Sequence, residues 1–432
     1  MRRLLHVLAC CTLAPAGALA QQRTVTLAEA IDLAQRADPL VVQAQGTART
    51  AGASVRQAWG GFLPSLGVGA NYGKSFSALP SRIDPITNEV ISGNITTGSV
   101  GLNASASIDL FNGFQREANL RARRAGVTDA DAALANTRAQ SALTTTTQFL
   151  QALQTTDLVR VREEAIRRAE EKLAIANAKL ATRASTIADS LQAVGDLARA
   201  RLQLLNERQN LTSAEATLAR RVGLEGRVSA VADSSLFQVV TLGDTASLMI
   251  EAQERAPAVI SAAARVTSAR ANLGFARGNY WPRLTLGGST SLNGSSSSNY
   301  DLSNTRGFNV GLSWTLFDRF GREQGMVQSR TALESAQANE ADARRNAAAN
   351  LLIQLGAIRV AEQRIALTTQ SLEAARASVR VQTERYRLGS ISITEFNAAQ
   401  DALSSAETEA VNARYEYLRA KAQIEAILGR KL

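Results

Sequence analysis

The side chains best suited to metal binding or nucleophilic attack are one histidine and two cysteines, and all lie at the start of the chain: His6, Cys10 and Cys11. They fall within MRRLLHVLACCTLAPAGALAQQ, where two arginines precede a short apolar stretch and Ala18-Leu19-Ala20 presents small residues at its end. This pattern predicts an export signal over residues 1–20, cut between Ala20 and Gln21. Its removal leaves no side chain for a His or Cys metal site, a Cys nucleophile, a His general base or a disulfide. No Gly-rich phosphate loop and no metal-spaced acidic cluster follows. The expectation is a protein that is not an enzyme and that needs no cofactor or metal.

What remains is charge. The formal net charge of +10 falls to about +8 once Arg2 and Arg3 leave with the signal. A basic chain raises nucleic acid as a partner, but an exported one rarely meets it. The arginines also alternate with acids, as in Glu163 to Arg167 and Glu164 to Arg168, the i,i+4 spacing of a solvated helix face. They read mainly as surface charges, and no nucleic-acid partner is expected.

The elements that carry these faces are written twice. Pro39 and Pro257 each open a helix-like run, and Pro64 and Pro282 each precede an alternating stretch; both pairs are 218 positions apart. LFNGFQR (110–116) and LFDRFGR (316–322) match at a spacing of 206, as do Leu197 with Leu403 and Val222-Gly223 with Leu428-Gly429. The difference falls in one loop of each half, 74–98 and 293–307, which marks both as exposed tips. The first repeat spans 21–223, an equatorial linker 224–244 and the second repeat 245–432.

Within each repeat two stretches alternate with a period of two, which predicts strands over 65–73, 99–110, 283–292 and 308–316. One parity is apolar (Leu66, Val68, Tyr72; Phe308, Val310, Leu312), and the other is Gly, Ser, Asn and Thr. Strands of roughly ten residues suit a tilted membrane crossing. The competing reading is a small soluble sheet with one face on a core. Four strands in lipid would leave two open edges, each unpaired backbone group costing several kcal/mol. Membrane strands of this number therefore require several copies of the chain to share one barrel.

Proline-free stretches over 115–182 and 321–388 predict helices near 100 Å long. The shorter helices 39–60 and 186–221, and likewise 257–278 and 392–428, together nearly match one long helix. Thr26-x-x-Glu29, Thr186-x-x-Asp189 and Ser392-x-x-Glu395 read as helix starts of capping-box type. Phe62, Phe111, Phe114, Tyr280, Trp281, Phe317 and Phe320 gather at equivalent strand ends, as a ring at a membrane interface or as packing at the strand-to-helix junction.

These features together resemble the TolC-like outer-membrane efflux protein family over nearly all of the chain past residue 20. The residues that carry the resemblance are TLAEAIDLAQRADP, the two prolines before outgoing strands and the C-terminal YRLGSISITEFNAAQDALSSAETEAVNARYEYLRAKAQIEAILG. The resemblance implies a mixed α and β membrane protein of the Gram-negative outer membrane that extends into the periplasm. It implies a homotrimer whose twelve strands form one barrel in outer-membrane lipid, continued by a periplasmic α-helical barrel. The implied role is a passive exit duct of a tripartite efflux or type I secretion system. A periplasmic adaptor and an inner-membrane pump would deliver the cargo, and the duct would be gated at its periplasmic tip. The alternative is a periplasmic helical structural or tethering protein that transports nothing.

Carried over residue by residue, Tyr386 matches a tyrosine that helps hold the entrance closed, its partner aspartate matches Asp189, and Glu395 matches the first of two acidic rings. The second acidic position is Ala398 here, and the family's gating arginine is replaced by Ile391. The tip turns Arg183-Ala184-Ser185 and Leu388-Gly389-Ser390 are the implied adaptor-docking sites, and Arg183 standing where the second repeat has Gly389 implies that they differ.

Overall fold

The structure is a computed structural model that describes residues 23–78, 82–83, 85–87, 89–91, 94–237 and 243–432. The expected signal segment, with its cleavage site at Ala20 and Gln21, lies outside the described residues. Two compact units divide the described chain: one begins at residue 23 and holds that segment to 42 with the described residues of 138–249 and 349–432, the other lies within 43–137 and 250–348.

The second of these carries a four-stranded antiparallel sheet. Its strands are β2 (Ser65–Ala78), β5 (Asn94–Phe111), β7 (Arg283–Ser295) and β8 (Ser303–Ser313), in the order β2-β5-β7-β8. A minor pair, β3 (Arg82–Ile83) and β4 (Val90–Ile91), lies between β2 and β5 in sequence. All four main strands reach further into the tip loops than alternation predicts, and β8 starts at Ser303 rather than residue 308. The added stretches, such as Ser303 to Gly307, have no apolar alternation to read, yet the backbone ladder continues through them. At its other end β8 stops at Ser313, short of the expected 316. The reason is its partner: Ser313 pairs with Arg283, and the next residue of that strand is Pro282, which has no N–H to give.

The register sorts the faces. Leu66 pairs with Ala106, Tyr72 with Val100, Leu102 with Leu292, Ile108 with Leu286, and Leu286 in turn with Val310. One face is therefore apolar across all four strands, because cross-strand partners share a face. The opposite face pairs Ser65 with Ser107, Gly69 with Asn103, Asn103 with Ser291 and Gly287 with Asn309. Glycine opposite asparagine recurs there for a steric reason: a Cβ at Gly69 would stand 2.7 Å from Asn103 Oδ1. No described residue of this chain covers the apolar face; Val68 is 88% exposed and Phe308 90%. A sheet packed on a core of its own chain would not leave these residues so exposed.

The other unit is helical. It opens with β1 (Arg23–Val25), which pairs in parallel with β6 (Val228–Ala230), so the linker between repeats contains a strand as well as irregular chain. Helices α1 (Leu27–Ala37) and α2 (Pro39–Gly60) meet at a corner built on Asp38. The buried Asp38 carboxylate accepts from Leu40 N at 3.0 Å, Ser141 Oγ at 2.8 Å and Arg221 Nη2 at 2.9 Å. Burial alone would raise its pKa, but these donors outweigh burial and hold it below the usual carboxylate value.

Four long helices follow: α3 (Gln115–Ala181), α4 (Ile187–Arg221), then, after α5 (Thr245–Arg255) and α6 (Pro257–Arg277), α7 (Gly321–Arg387) and α8 (Ile393–Leu428). In the β-branched run Thr144–Thr147, which stays helical, each hydroxyl is satisfied by donating to the carbonyl four residues back, at 2.7–3.0 Å. In this unit α3 lies between α4 and α8. Arg208 and Arg201 of α4 reach Glu163 and Glu170, while Arg168 reaches Glu407 and Gln154 reaches Asn412 of α8. Buried Lys172 on α3 donates to Asp196 of α4 and to Asn397 of α8, tying three helices at one point.

That arrangement leaves one face each of α4 and α7 that no described residue of this chain covers. On α7 the exposed apolar residues Ile353, Val360, Leu367 and Val381 share a seven-residue spacing, interrupted only by Ala374. On α4 the equivalents are Ile187, Leu191, Val194, Leu202 and Leu205. Apolar stripes at helical spacing of this kind suit packing against another helix.

Candidate functional site

The two helical tips are closed by the same turn. At the end of α3, Ala184 N donates to Lys179 O at 2.8 Å and Arg183 N to Leu180 O at 3.0 Å; at the end of α7, Ser390 N donates to Arg385 O at 2.8 Å and Gly389 N to Tyr386 O at 3.1 Å. Both are Schellman closures, which require a left-handed residue after the helix. Arg183 and Gly389 supply it with φ of 60° and 76°. The following helices start on capping residues. Thr186 and Asp189 form a reciprocal capping box, and Ser392 Oγ accepts from Glu395 N at 3.2 Å.

Around these turns lies an apolar cluster of Ala176 from α3, Ala193 from α4, Tyr386 from α7, and Ile391, Ile393 and Phe396 at the start of α8. Tyr386 is 2% exposed and its ring stacks on Phe396, centroids 5.0 Å apart and 11° from parallel. Its hydroxyl has no hydrogen-bond partner. Burial, and then the charge of Asp189, push this phenol above its usual pKa.

No hydrogen bond joins Tyr386 to Asp189, the pair that the resemblance implies. Asp189 Oδ2 instead accepts from Ser185 Oγ at 2.6 Å and from Thr186 N at 3.3 Å. Those two donors hold the carboxyl below its usual pKa. Between the two expected gate residues stands one that sequence reading missed, Lys179. Its ammonium donates to the Tyr386 carbonyl oxygen at 2.9 Å and lies 4.3 Å from the centroid of the Tyr386 ring. Its charge also lowers Asp189. Glu395 is exposed, and Ile391, at the position of the family's arginine, is buried in the apolar cluster. Arg183, Ala184, Leu388, Gly389 and Ser390 are exposed at the turns, and Ser185 is half-buried by its bond to Asp189.

The aromatic residues belong to the sheet-bearing unit. Phe111, Phe114 and Trp281 form an edge-to-face chain with centroids 5.3 and 6.3 Å apart, and Phe317 and Phe320 a second pair at 5.6 Å. Phe62 packs on Trp59 at 5.6 Å. Phe62 and Tyr280 also lie under an arginine each, Arg116 at 5.2 Å and Arg322 at 5.1 Å. Those arginines fasten each strand to the helix that follows. Arg116 Nη1 and Nη2 donate to the carbonyls of Asp109 and Leu110 at 2.6 and 3.2 Å, and Arg322 Nη2 donates to Leu316 O at 2.9 Å. Asn112 and Asp318 side chains accept from the backbone N–H of those arginines at 3.3 and 2.9 Å. Each junction turns through two successive left-handed residues, Gly113-Phe114 and Arg319-Phe320. Among the described residues no three His, Cys, Asp or Glu side chains converge as a metal site would need, and no helix is long and apolar enough to cross a membrane.

The chain matches the family model described as outer membrane efflux protein over residues 30–224 and 248–430. No curated protein matches it by sequence. Among solved structures, the fold is similar to that of CusC (TM-score 0.78, 17% identity, 95% of this chain and 94% of that one). It is also similar to the CmeC outer membrane channel of Campylobacter jejuni (0.76, 17%, 93% and 85%) and to the outer membrane protein VceC of Vibrio cholerae (0.73, 16%, 94% and 96%). At such identities the likeness is one of fold.

Proposed function

This chain belongs to the outer membrane efflux protein family, and we propose that it is one third of a passive exit duct gated at its periplasmic helical tip. It is an outer-membrane protein of mixed helix and strand. The observation that carries the reading is the open sheet: four strands whose edge members β2 and β8 have no further partner among the described residues, with an apolar face that no described residue covers. Lipid solvates such a face, and only closure with sister sheets satisfies both edges. Three copies supply twelve strands. The uncovered apolar stripes on α4 and α7 support the same assembly, since α7 of one copy can pack on α4 of the next around a closed ring.

The polar sheet face of Gly, Ser, Asn and Thr would line a wet lumen. The Arg-clamped junctions and the exposed aromatics beside them would lie at the inner membrane interface, where aromatic rings and cations both favour the headgroup level. Cargo would enter at the tip, where the turns at Arg183–Ser185 and Leu388–Ser390 meet a periplasmic adaptor coupled to an inner-membrane pump. The family consists of channels, and the wall needs no catalytic group to conduct. The purified protein tests this reading directly. A heat-sensitive trimer in the outer-membrane fraction that opens ion-conducting pores in planar bilayers is the expected result. A water-soluble monomer with all four strands folded would overturn it in favour of a periplasmic rod.

A further inference from the structure

We propose that Lys179 is the latch of the resting entrance, holding the second helical hairpin (α7 and α8) to the first (α3 and α4); the proposal rests on the duct reading. The Lys179 ammonium comes from the last turn of α3 and bonds a carbonyl in the last turn of α7. Two helix C-termini, each carrying roughly half a negative charge, thus share one cation. The same ammonium faces the Tyr386 ring, whose other side is stacked on Phe396 of α8. One side chain therefore holds α7 by its backbone and by its aromatic face.

The latch is built in one repeat only. The residue equivalent to Lys179 at the 206 spacing is Arg385, which is exposed and whose side chain bonds Gln382 on its own helix at 3.4 Å. The residue equivalent to Tyr386 is Leu180. Further from the turns, buried Lys172 and the Arg168–Glu407 pair also join α3 to α8; the other ion pair near the turns, Arg387 of α7 with Glu171 at 3.4 Å, is exposed on both sides and holds little in water. The buried position taken by arginine in the family's gate is Ile391 here, which offers no charge. Lys179 is thus the cation that holds both the carbonyl and the ring of Tyr386. Any widening that parts the hairpins of one chain must break its two contacts together.

The test is single-channel conductance of the full-length trimer in planar bilayers. Lys179→Met keeps the length of the side chain and removes the charge. It is expected to raise the open fraction about tenfold, the worth of one charge-assisted hydrogen bond. Lys179→Arg is expected to stay near the parent level. A further variant, Lys179→Cys, rebuilds the cation after folding when treated with an aminoethyl thiosulfonate, and should close again with that reagent but not with a neutral one of equal size. This arm covers the case in which Lys179→Met fails to assemble. Equal open fractions for Lys179→Met and the parent, or no closure by the cationic reagent, overturn the latch while parental pores leave the duct reading standing. Absence of any pore from the parent overturns the duct reading itself, and the latch with it.

Discussion

Arg183 and Gly389, 206 positions apart, end their helices in one backbone conformation, both left-handed, one with a long side chain and one with none. A β-carbon in that region costs roughly 1–2 kcal/mol, while glycine loses about 0.5–1 kcal/mol more entropy on folding. Arg183→Gly is therefore expected to stabilise the first tip turn by about 0.5–1 kcal/mol, and Gly389→Arg to weaken the second by a similar amount. Amide exchange of residues 180–190 and 386–396 reads both. Slower exchange in the first tip and faster in the second is the expected pair of results.

Arg116 and Arg322 lead to a second expectation. Arg116 bonds two carbonyls at the end of β5 and Arg322 one carbonyl just past β8, and each stacks on an aromatic ring before the partner strand. Hydrogen bonds to a charged donor contribute about 1.5–3 kcal/mol, so Arg116→Ala should lower the stability of the sheet by roughly that amount. Arg116→Lys should recover only part, since a lysine cannot fork across two carbonyls. Thermal loss of the strand signal in circular dichroism, compared across the three proteins, measures it.

How much of this was legible beforehand follows from which interactions leave a periodic trace. Alternation at Val68 or Val310 exposed the strands, and the 206 spacing exposed the repeat, because burial and duplication are written in residue type. The ends of the strands were not legible, since Ser303 to Gly307 pair through backbone groups that every residue owns. The junction LFNGF and LFDRF was visible as a match, but the left-handed conformation of Phe114, Arg319 and Phe320 was not, because non-glycine residues rarely adopt it. Lys179 left no trace at all: a lysine in the last turn of a helix is an ordinary cap to the helix dipole, and only the fold brings Tyr386 to it. Asp189 bonds Ser185 and Thr186 rather than Tyr386 for a related reason, since the spacing that made it a cap also occupies its carboxylate.

The two faces of the sheet should respond oppositely to charge. Val68 lies on the uncovered apolar face and Ser105 on the polar one, across the ladder from Gly67. An arginine facing lipid near the midplane costs about 2–4 kcal/mol, so Val68→Arg should deplete the assembled protein from the outer-membrane fraction. Ser105→Lys should assemble normally and change single-channel conductance instead. Equal assembly of both variants would count against a lipid-facing sheet.

At the tip, the missing bond between Tyr386 and Asp189 separates two outcomes that the family resemblance would join. The Tyr386 hydroxyl is buried and bonds nothing, so Tyr386→Phe removes a desolvated group without breaking a contact. Stability should be unchanged or up by as much as about 1 kcal/mol, and conductance should stay at the parent level. Tyr386→Ala removes the stack on Phe396 as well, and a large-to-small change of this kind costs about 3–5 kcal/mol. Asp189 acts separately, through pH. Its carboxyl is held below the unfolded value by Ser185 and then by the Thr186 N–H, so its contribution to the α4 cap is fully present above the unfolded pKa, about 3.9. That contribution is lost as pH falls through the lower folded value. Amide exchange at residues 186–190, corrected for intrinsic rates, should therefore show no change from pH 7 to about pH 5 and increasing fraying below about pH 4. Asp189→Asn, which cannot take up the proton, should abolish this acid dependence. If the parent and Asp189→Asn fray in parallel with acid, the carboxylate is not what holds the cap.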